Sequence, residues 1–207
     1  MTSPPDTASA ALRRDRIADA GIRIIGAQGL RALTHRAVDQ EAGLPQGSTS
    51  YYARTRAELI ALIADALGAR AERAIQELSP LDLGRLPERC DEAIGVVAAQ
   101  VAELAQVMGE DVTALRARYA LLLELSPEDP AWSSLRGPAR VREVVLTMAE
   151  EALGRVGVRD DSGRARELLA LVDGLLFRQA VTAGPAPIQP VVETFIRGLP
   201  KDGNARP

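Results

Sequence analysis

Apolar side chains recur three and four residues apart along nearly the whole chain, with no sustained alternation of β-branched residues to suggest strands. Ala, Leu, Arg and Glu, all good helix formers, dominate the composition, so the pattern predicts an all-α protein of about nine helices. The first spans 9–28, where Ile17, Ala20, Gly21, Ile24 and Ile25 recur at helical spacing and Gly29 stops the run. Thr34 is placed to cap a short helix over 35–41, with Ala37, Val38 and Ala42 turned inward, and Gly43 breaks it. A second short helix, over 46–52, follows Pro45. Thr55 to Glu58, "TRAE", is a capping box: the Thr55 hydroxyl accepts from the Glu58 N–H and the Glu58 carboxylate reaches back. A long helix therefore opens near 56 and runs to about 78. Beyond "SPLDLGRLPER" the pattern predicts helices over 87–108, 111–126, 130–157, 162–183 and 188–199. Gly109, "SPEDP", "VGVRDDSG" and "AGPAPIQP" separate them. Residues 1–8, rich in Pro and Ser, read as disordered, and 201–207 as a tail.

The two short helices, joined by a tight turn at Gly43, make a helix-turn-helix. Only six of the 207 residues are aromatic, yet Tyr51 and Tyr52 stand side by side at the end of the second short helix. A helix that enters a major groove needs a face free of bulk so that its backbone can approach base edges. Gln46, Gly47, Ser48, Thr49 and Ser50 supply such a face. Tyr51 and Tyr52 either lay their rings against sugars or a thymine methyl, or pack the small module; both readings stand for each. Pro45 suits the first turn of the helix, contact with a thymine methyl, or both. Arg54 and Arg56 flank the unit for phosphate contacts. Thr34, at a helix N-terminus, can join the backbone N–H groups there in holding another phosphate. His35 and Arg36 either share that contact or lie on a solvated face. Charge agrees with this reading: the net −3 of the chain hides a balance of +2 over residues 1–59 and −5 over 60–207.

The stretch "RRDRIADAGIRIIGAQGLRALTHRAVDQEAGLPQGSTSYYARTRAELI", residues 13–60, closely resembles the N-terminal DNA-binding domain of the TetR family of bacterial transcriptional regulators. The matching features are the first helix ending at Gly29, "LTHRAV" with Thr34, "AGLPQGSTSYY", and "RTRAEL" opening a fourth helix. One position departs from the family pattern: Ala53 stands where an aromatic usually anchors the recognition helix, which leaves the anchoring to Tyr51 or Tyr52. The resemblance implies a three-helix DNA-binding domain over 9–55 and a helical effector-binding and dimerisation domain over 56–200. It also implies a homodimer formed by the last two long helices and reading a palindromic operator in double-stranded DNA, most simply as a repressor released by a small ligand. The apolar stripe of 162–183, with Leu168, Leu169, Leu171, Val172, Leu175, Leu176 and Val181, is wide for one neighbour and with Phe195 is the candidate dimer surface; intrachain core is the other reading. Val101, Met108, Tyr119, Leu122, Trp132 and Met148 are candidates to line an effector pocket, whose apolar character suggests a hydrophobic ligand.

Other functions find little support. One cysteine, Cys90, and one histidine, His35, leave no disulfide and too few soft ligands for a typical zinc site, so no metal or cofactor is expected. No Gly-rich phosphate loop, nucleophile elbow or HExxH motif occurs, which argues against an enzyme. "MTSPPDTASA" has no signal-peptide core, and the most apolar run, "AIGVVAAQVAELAQVMG", is interrupted by Gln100 and Glu103, so the expected location is the cytoplasm, away from membranes. A helical protein-interaction module, or a regulator that activates or works without a ligand, remains the alternative.

Overall fold

The computed structural model describes residues 7–77, 87, 90–136, 139–158, 163–182 and 184–201. Among them are ten α-helices and no strand. They are α1 (Thr7–Gln28), α2 (His35–Glu41), α3 (Ser48–Tyr52), α4 (Arg56–Glu77), α5 (Cys90–Gly109), α6 (Val112–Glu124), α7 (Pro130–Arg136), α8 (Ala139–Arg155), α9 (Arg164–Thr182) and α10 (Ile188–Gly198). A single 3-10 turn, Leu30–Ala32, links α1 to α2. The all-α expectation holds, with one helix more than the nine expected. The apolar period over 130–157 predicts one helix, whereas α7 and α8 are two. Between them the sequence has Gly137 and Pro138. Proline has no N–H to donate and biases the residue before it away from helical angles, and an apolar period is blind to both effects. Thr7 and Ala8 are helical rather than disordered. The remainder of that expected disordered segment, and residues 202–207 of the tail, lie outside the described residues, as does the side chain of Cys90.

The chain divides into two compact units, Met1–Glu72 with Asp111–Pro138, and Arg73–Glu110 with Ala139–Pro207. In the first, α1 contributes Ile17, Ile22 and Ile25 to a core shared with Leu59 and Ile63 of α4, Leu121 of α6 and Leu135 of α7. Each large aliphatic so buried contributes about 1.5–3 kcal/mol relative to exposure. Gly26 sets how closely α1 approaches α6, since a Cβ there would run into the backbone carbonyl of Thr113. Arginines on α1 hold α2 in place. Arg16 Nη2 donates to the Ala42 carbonyl at 2.6 Å, satisfying an orphan acceptor at the end of α2, and Arg23 pairs with Glu41 at 2.6 Å.

The second unit is built on α5, α8, α9 and α10, with the last residues of α4. α10 lies against α5 and α9, and α8 against α9. Ile188, Val192 and Ile196, four residues apart, form the buried stripe of α10. Gln179 Nε2 donates to the Gly109 carbonyl at 2.9 Å and ties α9 to the end of α5.

Candidate nucleic-acid interface and internal cavity

The helix-turn-helix is assembled around a buried carboxylate. Asp39, in the last turn of α2, is only 3% exposed. Its Oδ2 accepts from the Gly47 N–H at 2.7 Å, and its Oδ1 accepts from the Thr49 N–H at 2.7 Å and the Thr49 hydroxyl at 2.6 Å. A five-residue helix cannot hold itself in water. Asp39 therefore does for α3 what an N-cap does, from a different helix. Nothing local announces this role, because the acceptor stands eight and ten residues before its donors.

This arrangement corrects three expectations. The second short helix starts at Ser48 and not at 46, so Pro45 and Gln46 lie in the turn and Pro45 is not a first-turn residue. Gly47 is the left-handed residue before the helix, with φ of 92°, so its glycine serves the turn and not a bare helical face. Thr49 is fully buried with its hydroxyl committed to Asp39, which removes it from the groove-facing set.

The other candidates sort by exposure and by what they already hold. Tyr51 is 80% exposed. Tyr52 is half-buried against the core of the first unit and meets Tyr51 edge to face, with ring centroids 5.1 Å apart. Ala53 is fully buried, too small to anchor anything. Anchoring therefore falls to Tyr52 and leaves Tyr51 for solvent. His35 is half-buried, and its Nε2 donates to the Ala53 carbonyl at 2.8 Å, which binds the start of α2 to the end of α3. Arg56 donates to the carbonyls of Leu33 and, at 2.7 Å, Leu30, so two of its donors serve the fold. Thr34 accepts from the Ala37 N–H at 3.1 Å as expected of a cap, which leaves its own O–H to donate outward. Ser48 donates to the Pro45 carbonyl at 2.6 Å. Arg36, Gln46, Ser50 and Arg54 are exposed. The capping box forms as read: Glu58 N–H to Thr55 Oγ1 at 3.1 Å, and Thr55 N–H to Glu58 Oε2 at 3.3 Å. Arg54 N–H joins it at 2.6 Å.

The stripe on α9 turns out to be two faces. Leu168 and Leu176 are buried within the second unit, which explains the width that suggested a second chain and takes both out of the candidate dimer surface. Leu171, Val172, Leu175 and Phe195 are half-buried. Val181 of the expected stripe, and Phe177 beside it, are 63% and 43% exposed on the opposite side of α9.

The second unit also holds a partly open, largely apolar cavity of about 420 Å³. Its walls are Val97, Val101, Leu104 and Val107 of α5, Val145, Met148, Ala149 and Ala152 of α8, and Leu168, Leu169 and Val172 of α9. Ala74 and Ile75 of α4 line it as well. Of the six pocket candidates, Val101 and Met148 line it and the rest do not. Met108 is half-buried elsewhere on α5. Tyr119 and Leu122 on α6, and Trp132 on α7, belong to the first unit, where Leu122 packs on the core and Arg136 lies over the Trp132 ring at 5.0 Å. Helical spacing could not separate these cases, because a residue facing a cavity and one facing a core look alike in sequence. Two polar residues, Gln100 and Glu103, also line the cavity.

Among the described residues no helix is long and apolar enough to cross a membrane, and no cluster of His, Cys, Asp and Glu is suited to a metal.

Residues 89–201 match the family described as "Tetracyclin repressor-like, C-terminal domain". The curated proteins give no match. Among solved structures, the TetR-family member SCO1917 from Streptomyces coelicolor A3 is 28% identical with a TM-score of 0.65, over 91% of this chain and 98% of that one. The multidrug binding protein EbrR complexed with imidazole is 27% identical with a TM-score of 0.61, over 94% of this chain and 98% of its own. The EbrR complex with ethidium is 28% identical with a TM-score of 0.57, over 91% of this chain and 99% of that one. With the family match extending over more than half of its residues, the chain belongs to the TetR family of helix-turn-helix transcription regulators, which are not enzymes.

Proposed function

We propose that the protein is a dimeric repressor that reads a palindromic operator and is released from it by a small, largely apolar ligand held in the cavity of the second unit. The observation that carries the reading is the pairing of an ordered helix-turn-helix, presenting Tyr51 at 80% exposure, with an apolar cavity of about 420 Å³. That volume lies in the range of small-molecule sites. Helix α4 takes part in both: it begins at Arg56 beside the recognition unit, and Ala74 and Ile75 near its end line the cavity. The solved complexes of EbrR with ethidium and with imidazole support a small-molecule ligand.

On this reading residues 9–55 contact DNA. Tyr51, Gln46 and Ser48 face the groove, and Thr34, Arg36 and Arg54 face phosphates. His35, Pro45, Tyr52 and Arg56 shape the unit. A single helix-turn-helix contacts too few bases to select one site, so two copies related by a two-fold axis read half-sites. Leu171, Leu175, Phe195 and the exposed side of α9 form the pairing surface. A ligand that releases the operator about a thousandfold must favour the DNA-incompetent state by about 4 kcal/mol.

Selection of bound sequences from random duplex DNA tests this, with wild type beside a Tyr51→Ala, Arg54→Ala double variant. A palindrome recovered by the wild type and lost by the variant is expected, together with affinity that falls steeply with salt. Enrichment of a non-symmetric sequence, or none at low salt, would overturn the dimeric-reader assignment.

A further inference from the structure

We infer that His35 couples DNA binding to a proton: its imidazole takes one up as the duplex docks, and the imidazolium then bridges the Ala53 carbonyl and a DNA phosphate. This rests on the reading of residues 9–55 as the DNA-contacting unit. His35 is the only histidine of the chain. Histidine is the side chain whose charge ordinarily changes between about pH 5 and 8.

The bond to Ala53 fixes which ring nitrogen carries the hydrogen. A carbonyl oxygen only accepts, so Nε2, 2.8 Å from it, is the N–H of the neutral ring and Nδ1 carries a lone pair. Nδ1 has no partner among the described residues. It is not shut off from water either, since the one buried side-chain atom without a partner there belongs to Gln100. The ring is thus held by one edge and offers the other outward. Both ends of the bond have a cation as chain neighbour: Arg36 follows His35, Arg54 follows Ala53, and both arginines are exposed.

A phosphate brought to the outer edge meets a lone pair while the ring is neutral, whereas an imidazolium offers it a charged N–H. Protonation leaves the fold's own bond in place, because Nε2 keeps its hydrogen. Without DNA nothing balances the added charge. The carboxylates on the surrounding elements are engaged: Asp39 of α2 by Gly47 and Thr49, Glu41 by Arg23, and Glu58 of α4 by the N–H groups of Arg54 and Thr55. On α1, Asp19 pairs with Arg70 and Asp15 is exposed. α3 adds only the phenols of Tyr51 and Tyr52. Arg16, Arg31, Arg36, Arg54 and Arg56 oppose a further positive charge on these elements. A duplex reverses that balance, since phosphate supplies the dominant charge of the interface. Binding therefore stabilises the charged ring, so affinity is highest at low pH and falls as rising pH deprotonates it.

A single histidine makes the test direct. In untagged full-length protein carrying isotope-labelled histidine, the one imidazole Cε1–H resonance reports this ring alone. Its titration midpoint should rise by about one pH unit when the duplex enriched by selection is added. Affinity for that duplex should be at least about fivefold tighter at about pH 6 than at about pH 8. His35→Gln keeps an N–H for the Ala53 carbonyl and cannot take a charge. Its affinity should be equal at the two pH values and match that of the wild type at the higher one. A ring that only ties α2 to α3 would give neither the shift nor the pH dependence. A midpoint that stays or falls on adding DNA would overturn the inference, and so would an undiminished pH dependence in His35→Gln. The resonance needs no variant, so it decides alone should His35→Gln not fold. Each of these failures leaves the DNA-binding reading standing, whereas no binding to any duplex at about pH 6 and low salt sinks both.

Discussion

Replacing Asp39 with Ala removes one acceptor group and leaves three donors without it, those of Thr49 shut off from water. The Thr49 N–H is fully buried, and leaving it unmade costs about 1–3 kcal/mol. The Gly47 N–H is only part-buried and recovers some of its loss from solvent, and the Thr49 hydroxyl can rotate toward another acceptor. The sum is about 3 kcal/mol, a large fraction of the 5–15 kcal/mol that holds a typical protein folded. The local effect should be larger than the global one. α3 has five residues, begins after a left-handed glycine, and has no side-chain cap from Gly47. Urea denaturation of the full-length protein measures the first quantity, and operator affinity the second, with a loss of at least about 100-fold expected on losing an ordered recognition helix. Asp39→Asn keeps one acceptor and turns an NH₂ toward one of the donors, so roughly half the destabilisation is expected. Thr49→Val alone should cost about 1 kcal/mol and add almost nothing to Asp39→Ala, since the hydroxyl then has lost its acceptor already. An Asp39→Ala protein within about 0.5 kcal/mol of wild type that still binds its operator normally would refute the reasoning.

The two tyrosines should part company under substitution. Tyr51→Ala should leave the urea midpoint within error and weaken operator binding about tenfold, whereas Tyr52→Ala should destabilise the first unit by about 2 kcal/mol, because only Tyr52 packs on its core. Equal stability losses would contradict the division of roles. Gly26→Ala should cost about 1–3 kcal/mol in the same assay, since the added Cβ meets the backbone carbonyl of Thr113 and not a side chain that can swing away. Val181→Asp, on the exposed side of α9, should convert dimer to monomer in light scattering without loss of helical signal; a dimer that survives it would place the pairing surface elsewhere.

What could be read from the sequence alone is what lies within about four residues of its cause. The helical period, the Thr34 cap, the stop at Gly29 and the reciprocal bonds of Thr55 and Glu58 all have both partners inside one turn. The resemblance over 13–60 rests on such local features, which is why the fold and the family were legible before any coordinates. Gln100 and Glu103 were visible too, as interruptions of an apolar run, but a polar residue in such a run does not say what it faces. Tertiary structure alone decided the rest. Asp39 reads as one more acid near a helix end until its partners ten residues on are brought to it. Leu168 and Phe177 share one helix and one chemistry, yet one is core and the other surface. Periodicity gives a helix its apolar face, while the neighbours that assembly sets against that face determine whether it meets core, cavity or another chain.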